Sequence, residues 1–163
     1  MLYRRFVTRQ VHGVFDSLSH GDFPSVLRGV APDVHHTFAG SHALGGQRHS
    51  ADAMRRWFER LYRLFPDLNF EVKRIVVNGN PATTTVAVEW IDRATPVDGV
   101  PYENEGTHFI EMRRGKVVYI HAYPDTQVIE ATLDRLAAAG VEEAAEAPCT
   151  SGWPRVCTWL SRT

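Results

Sequence analysis

The chain has 163 residues and a mass of 18.4 kDa, enough for one hydrophobic core and not for two. Its 44% hydrophobic content suits a domain that hides around 70% of its extended-chain surface, with no disulfide or structural metal needed. Lys+Arg at 18 against Asp+Glu at 19 leaves a formal charge of -1, without the positive excess for sequence-independent contact with nucleic acid or an anionic membrane, so neither is an expected partner.

The opening MLYRRFVTRQ lacks the apolar stretch and cleavage site of a signal peptide, and no apolar run approaches roughly 18 residues, so a cytoplasmic location is expected. Leu2, Phe6, Val11, Val14, Phe15 and Leu18 recur at helical steps, which predicts an amphipathic helix over 2–18, closed near Gly21. Pro24 suits the first turn of a short helix at 25–29, and 34–38 reads as a strand. The stretch AGSHALGGQRH has the chemistry of a loop. Ser50 offers an N-cap to a long helix whose apolar face carries Met54, Trp57, Phe58, Leu61, Leu64 and Phe65, and Pro66 ends it.

After Pro66 the period changes from 3.6 to 2. Strands are predicted around 70–77, 82–92, 102–113 and 116–123, the last two joined by a two-residue turn at Arg114-Gly115. A closing helix runs from Asp125 to about 139, with Gly140 past its end. The folded domain is therefore expected to span 1–147. Residues 148–163 read as a tail, docked or mobile, whose Cys149 and Cys157 are incidental thiols. Helices gathered on one side of a mainly antiparallel sheet define an α+β fold with a pocket between the layers. Neither nucleotide-binding glycine signature occurs, and the histidines lack metal-ligand spacing, so no cofactor and no metal are expected.

Taking Arg114-Gly115 as the turn places positions summing to 229 opposite one another, so that His108 faces His121, Gly106 faces Tyr123 and Asn104 faces Asp125. One face would then gather two imidazoles, a phenol, an amide and a carboxylate beside Ile110 and Met112. The other would expose Phe109, Val118, Ile120 and Ala122 as an apolar patch. Asp125 reads both as the N-cap of the last helix and as a general acid/base at the pocket. One of His35 and His36 must face inward, since strand neighbours point to opposite sides, while His42 and His49 are expected to be solvated.

The element order, together with VAPDVHHTFAG, RLFPDLNFEV, TTTVAVEWID and above all GTHFIEMRRGKVVYIHAYPDT, resembles the SnoaL-like branch of the nuclear transport factor 2-like superfamily over about residues 2–140. The resemblance implies a cone-shaped α+β barrel of curved sheet with a deep pocket, usually homodimeric through the outer sheet face. It also implies a choice among cofactor-free aldol cyclisation of polyketides, ketosteroid isomerisation, epoxide hydrolysis and plain ligand binding. Asp125 stands where the polyketide cyclases carry their general acid/base. The ketosteroid isomerases need an acid on the first strand, here Val34-His35-His36-Thr37-Phe38, and the epoxide hydrolases an Arg-x-Asp where this chain has Trp90-Ile91-Asp92. The expected site is thus Asp125 with His108 and His121 as catalytic groups, and Tyr123, Asn104, Trp90, Asp92, His36, Trp57, Ile110 and Met112 around an apolar, carbonyl-bearing ligand.

Overall fold

The computed structural model describes residues 2–148 and Thr150, so Cys149, Trp153, Cys157 and Trp159 of the expected tail lie outside the described residues. In chain order the elements are α1 (Leu2–Ser19), α2 (Phe23–Leu27), β1 (Val30–Phe38), β2 (Gly46–Arg48), α3 (Ala51–Leu64), β3 (Asn69–Gly79), β4 (Thr83–Ala94), β5 (Tyr102–Arg113), β6 (Lys116–Pro124), α4 (Thr126–Ala138) and a 3-10 turn (Glu142–Ala145). The α+β class and the order expected from periodicity are both observed. Local chemistry accounts for the helix starts: Asp22, Ser50 and Asp125 each accept a backbone N–H of the helix they precede. Among the described residues no helix is long and apolar enough to cross a membrane.

The strands form one curved, unclosed sheet in the order β2-β1-β6-β5-β4-β3, antiparallel except where β1 runs parallel to β6. The glycine-rich stretch expected as a loop contributes β2, whose three residues pair with His36–Phe38 at the sheet edge. Three paired residues are too few to leave an alternating pattern in the sequence. One part of the core joins α3 and α4 to β1 and β6 through Trp57, Leu64, Phe65, Ile120, Ala122 and Leu133. The other lays Val7, Val11 and Phe15 of α1 over Val86, Val88 and Trp90 of β4.

The hairpin register departs from the expected one. Arg113 pairs with Lys116 and Met112 with Val117 as the turn requires, but the ladder then shifts between Glu111 and Met112, so that Glu111 pairs with Tyr119 and Val118 is the extra residue of a β-bulge. From there on His108 lies opposite Ala122, and Phe109 opposite His121. The driving force is burial: the shift turns Ile120 and Ala122 into the core, at 8% and 0% exposure, and sends Tyr119, His121 and Tyr123 outward. The expected patch of Phe109, Val118, Ile120 and Ala122 is therefore corrected. Of these four, Phe109 is an exposed outer residue, whereas Ile120 and Ala122 belong to the core.

Candidate functional site

The concave side of the sheet and helices α1 to α3 enclose a cavity of about 80 Å³, next to a second of about 310 Å³ that shares Val14, Phe15, Val26, Ile110 and Ile120 as walls. The walls of the inner cavity are almost entirely apolar. Two of its polar groups are tied to backbone: Trp57 Nε1 donates to the Leu44 carbonyl at 2.8 Å, and the Tyr62 hydroxyl donates to the Leu18 carbonyl at 2.5 Å. The groups left to meet a ligand are His36, Asp92, Tyr102 and His108.

Each of these reaches the cavity because it alternates in phase with an apolar row. On β4, Asp92 follows Val86, Val88 and Trp90 on the inward face; on β1, His36 lies between Val34 and Phe38. Asp92 is 7% exposed, and the Tyr102 hydroxyl donates to its Oδ2 over a long 3.5 Å. Oδ1 is buried with no partner among the described residues. Burial outweighs the Tyr102 hydrogen bond and pushes its pKa up to about 7. His36 is equally enclosed, with Nδ1 unpartnered among the described residues and its ring set edge-on against Trp57. Burial and the nearby Arg48 charge hold it well below the ordinary imidazole range.

His108 is controlled by Trp90. The Trp90 indole N–H donates to His108 Nδ1 at 2.6 Å, and since an indole can only donate, Nδ1 must be an acceptor and the ring proton must sit on Nε2. Burial lowers the His108 pKa to about 4, so the ring is a neutral donor near pH 7. This contact depends on Gly106, which pairs with Trp90 across the ladder. A Cβ there would come within 2.7 Å of the indole.

Of the expected site residues, His36, Trp57, Trp90, Asp92, His108 and Ile110 line the inner cavity, and Met112 lines its neighbour. Asn104 sits behind the wall, donating Nδ2 to the Tyr102 hydroxyl and to the Asp125 carbonyl, both at 3.1 Å. His121, Tyr123 and Asp125 are not brought together with His108. The bulge turns His121 and Tyr123 to the convex face, where their rings stack at 3.8 Å. Asp125 is exposed, its side chain accepting Gln127 N–H at 3.0 Å as the cap of α4. It borders a shallow polar groove with Lys73, Arg74, Glu89 and Glu105. His42, expected in solvent, is buried, with Nδ1 accepting the Leu44 N–H. Tyr102, absent from the expected site, lies in phase with Asn104 on β5, and that phase was its available signal.

Residues 11–120 match the SnoaL-like domain family. No curated protein matches the chain by sequence. Among solved structures, PrhC from Penicillium brasilianum superposes with a TM-score of 0.73 at 21% identity, over 88% of this chain and 93% of its own. IdmH from Streptomyces antibioticus, a candidate polyketide cyclase, gives 0.62 at 21% identity over 78% and 97%. TerC, solved together with polyporic acid, gives 0.66 at 16% over 78% and 97%. These likenesses establish the cone-shaped, nuclear transport factor 2-like fold.

Proposed function

Since the chain belongs to the SnoaL-like domain family, we propose that it is a cofactor-free general acid–base enzyme of the cyclase or isomerase type, with Asp92 moving the proton on an apolar, carbonyl-bearing substrate. The observation that carries this reading is the Asp92 carboxyl, buried with a free oxygen in an apolar cavity and titrating near neutrality. A base half-ionised at pH 7 can take a proton and return it. The Asp92 carboxylate removes the proton next to the substrate carbonyl, leaving an enolate whose oxygen accepts the Nε2–H of neutral His108. In an aldol closure the enolate carbon then bonds to a second carbonyl carbon, and the Asp92 carboxylic acid protonates the new alkoxide. In an isomerisation the same proton returns to a different carbon. Such help is worth about a hundred- to ten-thousandfold in rate. The kinship with IdmH and the polyporic acid held with TerC favour polyketide-like or polycyclic carbonyl compounds over other apolar ligands. Epoxide opening ranks lower, because none of the cavity walls among the described residues is a lysine or arginine and the Trp90 N–H is already engaged by His108.

Deuterium exchange at the carbon next to the carbonyl of 1-tetralone, followed by NMR in deuterated water, tests the proton transfer without knowledge of the natural substrate. The native protein should accelerate it and Asp92→Asn should lose at least about a hundredfold of that acceleration. A tetralone that binds, seen as a thermal shift, but exchanges no faster than in buffer makes the protein a binder.

We infer that a second copy covers the convex sheet face. Its middle is part-aromatic, with Phe109 and Tyr123 exposed and Tyr119 and His121 half-buried, and its two halves differ in chemistry: imidazoles of His35 and His49 on the β1–β2 side, carboxylates of Glu89 and Glu111 on the β4–β5 side. A two-fold axis through the face lays each half on the opposite half of the partner. Sedimentation should give a dimer, and Phe109→Asp a monomer; a native monomer at micromolar concentration overturns this.

A further inference from the structure

The larger, outer cavity opens to solvent between α1, the start of β1 and the β5–β6 turn, where its exposed walls are Gln10, Gly13, Val14, Gly29 and Gly115. Cations flank that opening. The Arg28 guanidinium donates to the hydroxyl of Ser25, itself a wall of the cavity, at 2.8 Å. Lys116, next to Gly115, donates Nζ to the Arg28 carbonyl at 2.7 Å, which sets the ammonium beside the same rim. Arg114 stands on the other side of Gly115 in the turn. Among the described residues none of these three cations makes an ion pair, although most of the remaining lysines and arginines on β3, β4, α3 and α4 do. Asp22, whose charge acts on Arg28, is engaged as the cap of α2 through Ser25 N–H. A chain of near-zero net charge thus presents a positive rim where an apolar shaft begins. Inward from that rim the walls are Val11, Val26, Ile110, Met112 and Val117, of which Val26 and Ile110 also line the adjoining inner cavity that holds Asp92.

We propose that the cavity pair selects an elongated apolar molecule that carries an anionic group, carboxylate or phosphate, at the end remote from the reacting carbonyl. The anion rests between Arg28 and Lys116, and the apolar body lies along the outer cavity with its carbonyl end toward Asp92. The inference rests on the reading of Asp92 as the reacting end, and it adds what the other end must be. Charge at the rim also gives the ligand a direction: the opposite orientation would bury an anion beside the Asp92 carboxyl, whose Oδ1 already lacks a partner among the described residues.

Displacement of the neutral dye Nile red by decanoate and by methyl decanoate, at about pH 8 where the acid is ionised, tests the preference. Decanoate should displace the dye at about five- to tenfold lower concentration in low salt, and the gap should close in about 1 M salt. The double variant Arg28→Gln with Lys116→Gln should bring decanoate to the level of the ester and leave the ester unchanged; if it fails to fold, the salt dependence of the native protein still decides. Equal displacement by acid and ester in low salt, displacement by neither, or a gap that survives in the double variant overturns the proposal. Capture on phosphatidylglycerol vesicles without a preference for the free acid overturns it in favour of a membrane surface. Asp92→Asn should keep the preference. If it also keeps full deuterium exchange, the proton-transfer reading fails alone; if the preference is missing while exchange depends on Asp92, the rim inference fails alone.

Discussion

His108 on β5 and His121 on β6 are the same side chain on two faces of one hairpin, and the sheet has made them into different chemical groups. His108 points into an apolar cavity, accepts the Trp90 N–H and is held neutral, with a pKa near 4. His121 lies on the convex face, stacked on Tyr123 and within 3.2 Å of the Tyr119 hydroxyl, its pKa lowered by partial burial and by the neighbouring His35. Asp92 and Asp125 make the same contrast among carboxylates, one buried with an oxygen unpartnered among the described residues and the other exposed and capping a helix. Residue type therefore says little about role here; the side of the sheet decides, and for His121 one bulge residue, Val118, decides the side.

The contrast between the carboxylates should be largest in the pH dependence of stability. Asp92 titrates near 7 in the fold against 3.8 unfolded, so from about pH 4 to 7 the native state keeps a proton that the unfolded chain gives up. Stability is intact below the unfolded value and falls as pH rises through that window, by up to about 4 kcal/mol. His108 works with the opposite sign: its folded value near 4 lies below 6.5, so it costs stability as pH falls through about 6.5 to 4. Urea unfolding of Asp92→Asn should show the variant gaining on the native protein by up to about 4 kcal/mol between pH 4 and pH 8. A difference constant with pH would make Asp92 an ordinary ionised carboxylate and remove the basis for its role.

Next in size is Gly106→Val. The added Cβ would meet the Trp90 ring and the Tyr123 carbonyl oxygen, each at 2.7 Å, and the backbone contact cannot move aside. A loss of about 3 kcal/mol is expected from thermal or urea unfolding, together with loss of the Trp90–His108 bond. If the variant melts like the native protein, the indole has another place to go and does not set the His108 tautomer.

Smaller still is Trp90→Phe, which keeps most of the apolar contact but removes the N–H. Leaving His108 Nδ1 without its donor should cost about 1–2 kcal/mol. NMR titration should find the His108 pKa raised, because Nδ1 becomes free to take a proton. The parallel change on the convex face, Tyr119→Phe, should cost less than about 0.5 kcal/mol, since water can replace the hydroxyl there. Equal costs would mean that the two faces hold their imidazoles alike.

Helices, caps and the hairpin turn were legible because each is a local decision. The spacing of Met54, Trp57, Phe58 and Leu61, the Ser50 cap and the Arg114-Gly115 turn all reappear in the structure. The bulge was not, because nothing local requires it. A regular ladder from the same turn satisfies the backbone equally well, and the shift is selected only by the core accepting Ile120 and Ala122 in place of Tyr119 and His121. The misplacement of His121, Tyr123 and the expected outer patch follows from that one residue. Asp92 was visible, since an acid in phase with Val86, Val88 and Trp90 must enter the core or its edge. That phase carries more weight than the attractive position of Asp125 at the end of a strand.

Asp125 itself gives the smallest and most discriminating effect. Its side chain accepts Gln127 N–H at 3.0 Å, while its backbone carbonyl, which Asn104 holds, is untouched by substitution. Asp125→Ala should cost about 1 kcal/mol through the lost cap, and Asp125→Asn only a few tenths, because its amide oxygen accepts the same N–H. Neither substitution reaches the cavity that Asp92 lines, so deuterium exchange on 1-tetralone should stay within about twofold of native once the small stability loss is matched. If Asp125→Asn instead loses about a hundredfold while melting normally, the proton is moved at the convex groove. The roles of the two carboxylates would then be exchanged, with Asp92 the buried structural group and Asp125 the base.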